Sequence, residues 1–268
     1  MDNISHWLNK VELTCQKIEH EHIDIIIDQC GAGFSVIPAL KTFGSEIRWY
    51  SLFEGLPENI YLEDAPLLVR INLKKEQQII WLYELAREVT SNAPLMVIGS
   101  SWSFEDLSEW LGQCTDANHE ERPGIFRFWD CRLFPFLFSH ILNDDQQQAL
   151  NNPALFWSWL DRDGQPVLKQ GGGSIRESYE PCQPFTLTDP QFESLMCLSD
   201  AKQYLRYQPF PENYFNSKEA EFFYCFNGML DATKNHVLFE EKRYEWVMKG
   251  IAEGRFINDS LPNNMNPL

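Results

Sequence analysis

The stretch "GIFRFWDCRLFPFLF", Gly124–Phe138, sets five phenylalanines and a tryptophan around Arg127, Asp130 and Arg132. Three charges are too many for a buried core segment, and the aromatic density is too high for a solvated loop. A catalytic cluster, a binding surface and a strand-to-helix junction are the three arrangements that compete to reconcile the two. Taken as a strand, "IFRFW" places Phe126 and Phe128 on one face and Ile125, Arg127 and Trp129 on the other. Asp130 then ends the strand, where its carboxylate accepts backbone N–H bonds and pairs with Arg127 or Arg132. The apolar run through "LFPFLFSHIL" follows as a helix with Pro135 near its first turn. On this junction reading, Asp130→Ala weakens the fold and removes no enzymatic activity.

Upstream of that corner the chain alternates. A polar leader precedes "IDIIID" (Ile23 to Asp28), a β-branched run that ends at the glycines of "CGAGF". "IRWYSLF" (Ile47 to Phe53) and "PLLVRI" (Pro66 to Ile71) are two further strands. In "KEQQIIWLYELAREVTSN" the residues Ile79, Leu82, Tyr83, Ala86 and Val89 keep the three- and four-residue spacing of an amphipathic helix. "LMVI" reads as a strand, and Ser103 with Asp106 opens a helix whose inward stripe is Phe104, Leu107, Trp110 and Leu111.

Downstream, "DGQPVLKQGGGSIRESYEPCQP" is rich in glycine, proline and polar residues and reads as a connector with room for a short hairpin. Asp189 and Pro190 form a cap and first-turn pair for a helix through Phe192, Leu195 and Met196. Two more helices are expected at about Ser217 to Leu230 and His236 to Glu253, before a frayed tail, "NDSLPNNMNPL". The predicted architecture is an α/β lobe over residues 1–162, with a mixed sheet and flanking helices. A connector over 163–189 and a smaller all-α lobe over 190–268 complete it.

The 268 residues carry 22 basic and 39 acidic side chains, a formal charge of -17 that repels nucleic acid and anionic membrane surfaces. Such a charge serves solubility, or attracts a basic protein partner. "MDNISHWLNK" has neither the basic nor the apolar region of a secretory signal, and no run is long enough to span a bilayer. A cytoplasmic protein with no membrane insertion is expected. The seven cysteines are scattered, without a Cys-x-x-Cys pair, and read as reduced thiols.

Motifs for catalysis are sparse. "GAGF" lacks the third glycine of a dinucleotide fingerprint, "GGGS" at Gly171 follows no clear strand, and no Gly-Lys-Ser/Thr is present. "IGSSWS" stands where a nucleophile elbow would, but lacks the glycine two residues after the serine. Ser100 and Ser101 are therefore read as capping residues, with an α/β hydrolase using this turn as the alternative. His20 and His22 in "EHEHID" would need a third ligand from elsewhere to hold a metal, and Cys131 with His140 reads as core, not a thiol dyad. No cofactor, metal or catalytic residue is expected.

The order of these segments resembles a family: the type VI secretion effector chaperones or adaptor proteins, catalogued as domain of unknown function 4123. "WYSLFEGLPE" resembles the family's "sLyeG" segment, "APLLVRI" the strand "gPyLv.l" after it, and "MVIGSSWSFEDLSEWL" the strand, serine turn and helix that come next. "FRFWDCRLF" is similar to the core "RFyDPRvl", with Arg127, Phe128, Asp130 and Arg132 at the matching places and Cys131 where the family has proline. "FTLTDPQFESL" resembles the segment that opens the C-terminal lobe, so the likeness runs from about Ile23 to Met196.

The resemblance implies a cytoplasmic, non-enzymatic carrier whose partners are a secreted effector and the valine-glycine repeat spike protein onto which it is loaded. An immunity-type toxin-binding protein is a further alternative. The composition is 14% aromatic, and aromatic residues anchor protein interfaces at small entropy cost. Tyr207, Phe210, Tyr214 and Phe215, in "YQPFPENYF" outside the helical stripes, are the candidate cargo interface.

Overall fold

In the computed structural model the structure describes residues 2–89, 93–176, 182–212 and 214–255, and the backbone of 266 and 267. The chain divides into two compact units. One comprises Met1–Phe134, Asn143–Thr186 and Met265–Leu268, and the other Pro135–Leu142 and Leu187–Asn264.

The first unit is the α/β lobe. Its elements are α1 (Asn3–Lys17), β1 (His22–Asp28), α2 (Gln29–Ala32), α3 (Ile37–Phe43), β2 (Arg48–Ser51), β3 (Pro66–Asn72), α4 (Glu76–Val89), β4 (Met96–Gly99) and α5 (Phe104–Gln113). They continue with β5 (Asp116–His119), β6 (Arg122–Ile125), α6 (Phe134–Phe136, ending in the second unit), α7 (Asp144–Asn151), β7 (Phe156–Leu160), β8 (Pro166–Gln170) and β9 (Phe185–Thr186). The larger sheet has the order β10-β8-β7-β4-β1-β3-β2, with β10 (Asn266–Pro267) at one edge, and each of its pairings is antiparallel. The smaller sheet, β6-β5-β9, contains the parallel pair, β5 with β9.

Strand alternation distributes the core. Ile23, Ile25 and Ile27 of β1, Leu67, Val69 and Ile71 of β3, and Phe156 and Leu160 of β7 meet Trp7, Leu8 and Val11 of α1 and Leu82, Leu85 and Val89 of α4. The intervening residues, Asp24, Ile26, Leu68, Arg70, Ile98, Trp157 and Trp159, belong to the opposite face and are covered as well. Phe134 packs on Trp157 and Trp159, with ring centroids 5.0 and 5.4 Å apart, and the Arg70 guanidinium lies 5.4 Å from the Phe104 ring. A sheet buried on both faces has little room for charge, so each charge in it needs a partner.

Several segments differ from the sequence reading. The polar leader is helix α1: Asp2 accepts the Ser5 backbone N–H at 2.6 Å as its cap, and Trp7, Leu8, Val11 and Cys15 form a narrow apolar stripe. The strand expected at Ile125–Trp129 stops at its first residue, the end of β6, because the Phe128 N–H bonds the nearby Phe126 carbonyl at 2.9 Å and turns the chain locally instead of continuing a ladder. The helix expected after it is one short turn, α6, followed by a wide turn over Leu137–Ile141 closed by Leu142 N–H to the Leu137 carbonyl at 2.8 Å. The helix expected through Asn92 is described to Val89, and residues 90–92 lie outside the described residues, as do 258–265 and 268 of the expected frayed tail.

"GGGS" does follow a strand, β8, but its amides are already engaged. The backbone N–H groups of Gly171, Gly172, Gly173 and Ser174 donate to the carbonyls of Leu155, Asn151, Ala154 and Asn152 at 2.8–3.0 Å. A side chain at Gly171 would place Cβ 1.8 Å from the Ala154 carbonyl oxygen. Gly171→Ala is expected to cost about 1–3 kcal/mol by forcing two backbone segments apart, against no more than a few tenths for Gly124→Ala, where a Cβ meets nothing within 4 Å. Equal urea midpoints for the two variants would overturn this.

The second unit contains α8 (Asp189–Tyr207), α9 (Lys218–Lys234) and α10 (Glu240–Ala252). The cap of α8 is Thr188 rather than Asp189: its N–H donates to Gln191 Oε1 at 3.0 Å, leaving Asp189 and Pro190 inside the first turn. Leu198, Ala201, Phe222, Phe226, Met229 and Val247 fill the core between these helices. Arg243 of α10, itself buried, donates to Asp200 of α8 at 2.9 Å and to Thr233 of α9 at 2.9 Å, so one guanidinium ties three helices. Among the described residues no helix is long and apolar enough to cross a membrane.

Candidate functional site

Asp28, at the end of β1, caps α2 by accepting the Gly31 N–H at 3.1 Å and also accepts from the Arg127 guanidinium at 2.6 Å. A Cβ at position 31 would lie 2.6 Å from the Asp28 carboxylate, which is why glycine follows this strand. Arg127 therefore pairs with Asp28, not Asp130. Asp130 pairs with Arg132 in a two-pronged contact, Nε to Oδ1 at 2.8 Å and Nη2 to Oδ2 at 2.7 Å, and also takes the Arg132 backbone N–H at 3.1 Å. Its carbonyl accepts from the N–H groups of Leu133 and Phe134.

The Asp130 carboxylate holds the Arg132 guanidinium charge above its ordinary range, against the cost of burial. Arg162 closes the corner by donating to the Arg132 carbonyl at 2.7 Å. Phe128 is fully buried, and Cys131 is buried with its thiol directed at the Pro94 carbonyl. Asp130 and Arg132 thus bind each other, Arg127 binds Asp28 and Phe128 is packed in the core, and together they hold a corner in place, with the helical turn starting at Phe134.

A second charged group was not found from sequence. Asp24 of β1 and Arg70 of β3 stand directly opposite in the sheet register and form two parallel hydrogen bonds, each 2.8 Å. Burial pushes the Asp24 carboxyl up, while the Arg70 guanidinium pulls it down. His22 lies beside them, its imidazole pushed down to about 4 by burial and by the Arg70 charge. His20 and His22 do come together, with rings 4.3 Å apart, but His20 Nε2 bonds the Ser100 carbonyl at 2.7 Å. Among the described residues no group of three or more His, Cys, Asp or Glu is arranged to hold a metal. A charge inside each of the runs "IDIIID" and "PLLVRI" was the signal available, since a charge in a doubly buried strand demands a partner.

At the serine turn, the fully buried Ser100 hydroxyl donates to the Pro153 carbonyl at 2.5 Å and accepts the Trp102 N–H at 3.2 Å. Its proton is thus directed at a carbonyl and not at a base. Ser103 caps α5, accepting the Asp106 N–H at 3.0 Å.

In the second unit, the segment after α8 folds into a layer of touching rings. Phe210 stacks on Tyr214 at 5.4 Å and meets Phe215 edge-on at 4.9 Å, Phe215 stacks on Tyr224 of α9 at 5.5 Å, and Phe210 reaches Tyr204 of α8 at 6.0 Å. Phe210 and Phe215 are partly buried and anchor the segment, while Tyr207 and Tyr214 are 67% and 48% exposed. Leu238 and Phe239 are more exposed still, at 68% and 82%, and lie before α10, which starts at Glu240 rather than at the expected His236.

Residues 25–149 match the family model described as "Domain of unknown function (DUF4123)". That span runs from within β1 through β6 and the Arg127–Arg132 corner and stops before the aromatic segment of the second unit. No curated protein and no solved structure matches the chain.

Proposed function

We propose that the chain is a cytoplasmic adaptor that binds a secreted effector and helps load it onto the valine-glycine repeat spike protein of a type VI secretion system, without catalysing a reaction. The assignment to that pathway rests on the resemblance of the ordered signatures, most of which fall within the family match over residues 25–149. The observation that carries the binding role is the exposed apolar set of the second unit, Tyr207 at the end of α8 and Tyr214, Leu238 and Phe239 in the segments between helices, in a unit whose helices have a buried core without them. Large side chains left in water while the core is complete mark a surface that gains by being covered.

Co-purification of the tagged chain with the products of its neighbouring genes tests the reading. Recovery of a large toxin-like protein together with the spike protein supports an adaptor. A toxin recovered with the spike protein excluded would point to an immunity-type role, and no bound chain from folded protein at low salt would remove the carrier. Given a cargo, the double variant Tyr207→Ser, Tyr214→Ser is expected to weaken capture about 10- to 100-fold while leaving the melting temperature of the adaptor within a few degrees. Unchanged affinity would clear these two residues of the role.

A further inference from the structure

Two of the seven cysteines stand apart from the others. Cys114 ends α5 and Cys182 precedes β9, 68 residues later, and their sulfurs lie 3.6 Å apart. Both are fixed by the backbone: the Cys114 N–H donates to the Trp110 carbonyl at 3.0 Å and the Cys182 N–H to Gln113 Oε1 at 2.6 Å. The parallel pairing of β5 with β9, Ala117 opposite Phe185, keeps the two chains side by side just beyond. Forming a disulfide of about 2.05 Å needs only about 1.5 Å of closure, within reach of side-chain rotation.

The surroundings set the reagent. Cys182 lines a cavity of about 240 Å³ whose walls include Tyr50, Leu56, Gln113 and the carboxylates of Glu54 and Glu109. Those carboxylates disfavour an anionic oxidant and leave access to a small neutral one. Cys114 is fully buried behind it.

We propose that Cys114 and Cys182 form a redox-responsive dithiol that hydrogen peroxide converts to an intramolecular disulfide, Cys182 being the attacking sulfur and Cys114 the resolving one. The Cys182 sulfur, having lost its proton, attacks one peroxide oxygen. The O–O bond breaks, and the departing hydroxide takes up a proton to leave as water. The Cys114 sulfur then attacks the resulting Cys182 sulfenic acid, the S–O bond breaks, and the hydroxide leaves with the Cys114 proton as a second water. Two thiols and one peroxide give one disulfide and two waters. The order of roles agrees with the local electrostatics: the hydrogen bond from Cys114 pulls the Cys182 thiol down, whereas burial pushes Cys114 up. The link would pin the segment before β9 to the end of α5 and close a long loop of the unfolded chain, raising the melting temperature by about 5 °C or more.

The test uses the full chain carrying Cys30→Ser, since Cys30 is exposed and would react on its own account. After treatment with a modest excess of hydrogen peroxide, the remaining thiols are alkylated in denaturant and the digest is mapped by mass spectrometry. The expected result is a Cys114–Cys182 linked peptide, released by dithiothreitol, with the other four thiols alkylated. With Cys114→Ser added, dimedone should label Cys182, and with Cys182→Ser added, Cys114 should stay reduced. Both cysteines remaining alkylatable at peroxide levels that oxidise Cys30 in the unmodified chain would overturn the proposal. So would overoxidation of Cys182 beside an intact Cys114 thiol. The mapping on the parent chain decides between these results even where a serine variant does not fold.

Discussion

Arg70→Met is expected to lower the unfolding free energy by about 3–5 kcal/mol at pH 8 and by clearly less at pH 5. Methionine keeps much of the packing against Phe104 but leaves the Asp24 carboxylate, fully buried in the sheet, without its two guanidinium bonds. Burial already raises the Asp24 carboxyl, and removing the opposing pull of Arg70 raises it further. The folded state of the variant then holds a proton at pH values where the unfolded chain, near 3.9, does not. Stability is therefore lost as pH rises through the folded value and regained as it falls.

His22 acts in the same sense. Its depression to about 4 makes the wild type lose stability as pH falls from about 6.5 toward that value, and part of the depression comes from Arg70 itself. Without Arg70 that acid loss shrinks. Urea titrations of both proteins at pH 5 and pH 8 measure the difference, and an equal loss at the two values would show that Asp24 is not the buried charge at issue. The double variant Asp24→Asn, Arg70→Met should recover part of the loss, because it leaves no unpaired charge.

Asp130→Ala is expected to cost about 2–4 kcal/mol. It strips a partly buried guanidinium of its two bonds to Asp130 and removes the acceptor for the Arg132 N–H, in a corner whose neighbours Phe128 and Cys131 are buried. Arg127→Ala, in the same motif, should cost no more than about 1 kcal/mol, since that side chain is half exposed and its pair with Asp28 is screened by water. The contrast is the informative part. Similar unfolding midpoints for the two variants would mean that the motif is not a structural corner centred on Asp130.

Several local signals were legible where the partner lay within a few residues. The Ser103 cap of α5 is an i to i+3 hydrogen bond, and the apolar stripe of α4 repeats within a single helix, so both could be read from spacing. The runs at β1, β3 and β4 were visible because strands buried on both faces are nearly continuous in Ile, Leu and Val. The hairpin between β5 and β6 was not, because its turn is made by Glu120 and Glu121, both left-handed at φ 49° and 62°. Glutamate is not a residue that announces such a turn, which Asn-Gly or Asp-Gly would have done. Helix α1 was missed because its apolar stripe is narrow within a polar segment, although Trp7, Leu8, Val11 and Cys15 were there to be found.

The sequence by itself determined the division into an α/β part and a helical part, the positions of β1 to β4 and of helices α4, α5, α8, α9 and α10, and the residues of the aromatic corner, because periodicity and capping are encoded over a few residues. Only the tertiary structure decided which charge answers which. Arg127 finds Asp28 across 99 residues and Arg70 finds Asp24 across 46. Cys114 comes to stand beside Cys182 across 68. Such pairs are selected by strand order and register, which arise from the mutual burial of segments far apart in the chain, and no local pattern records them.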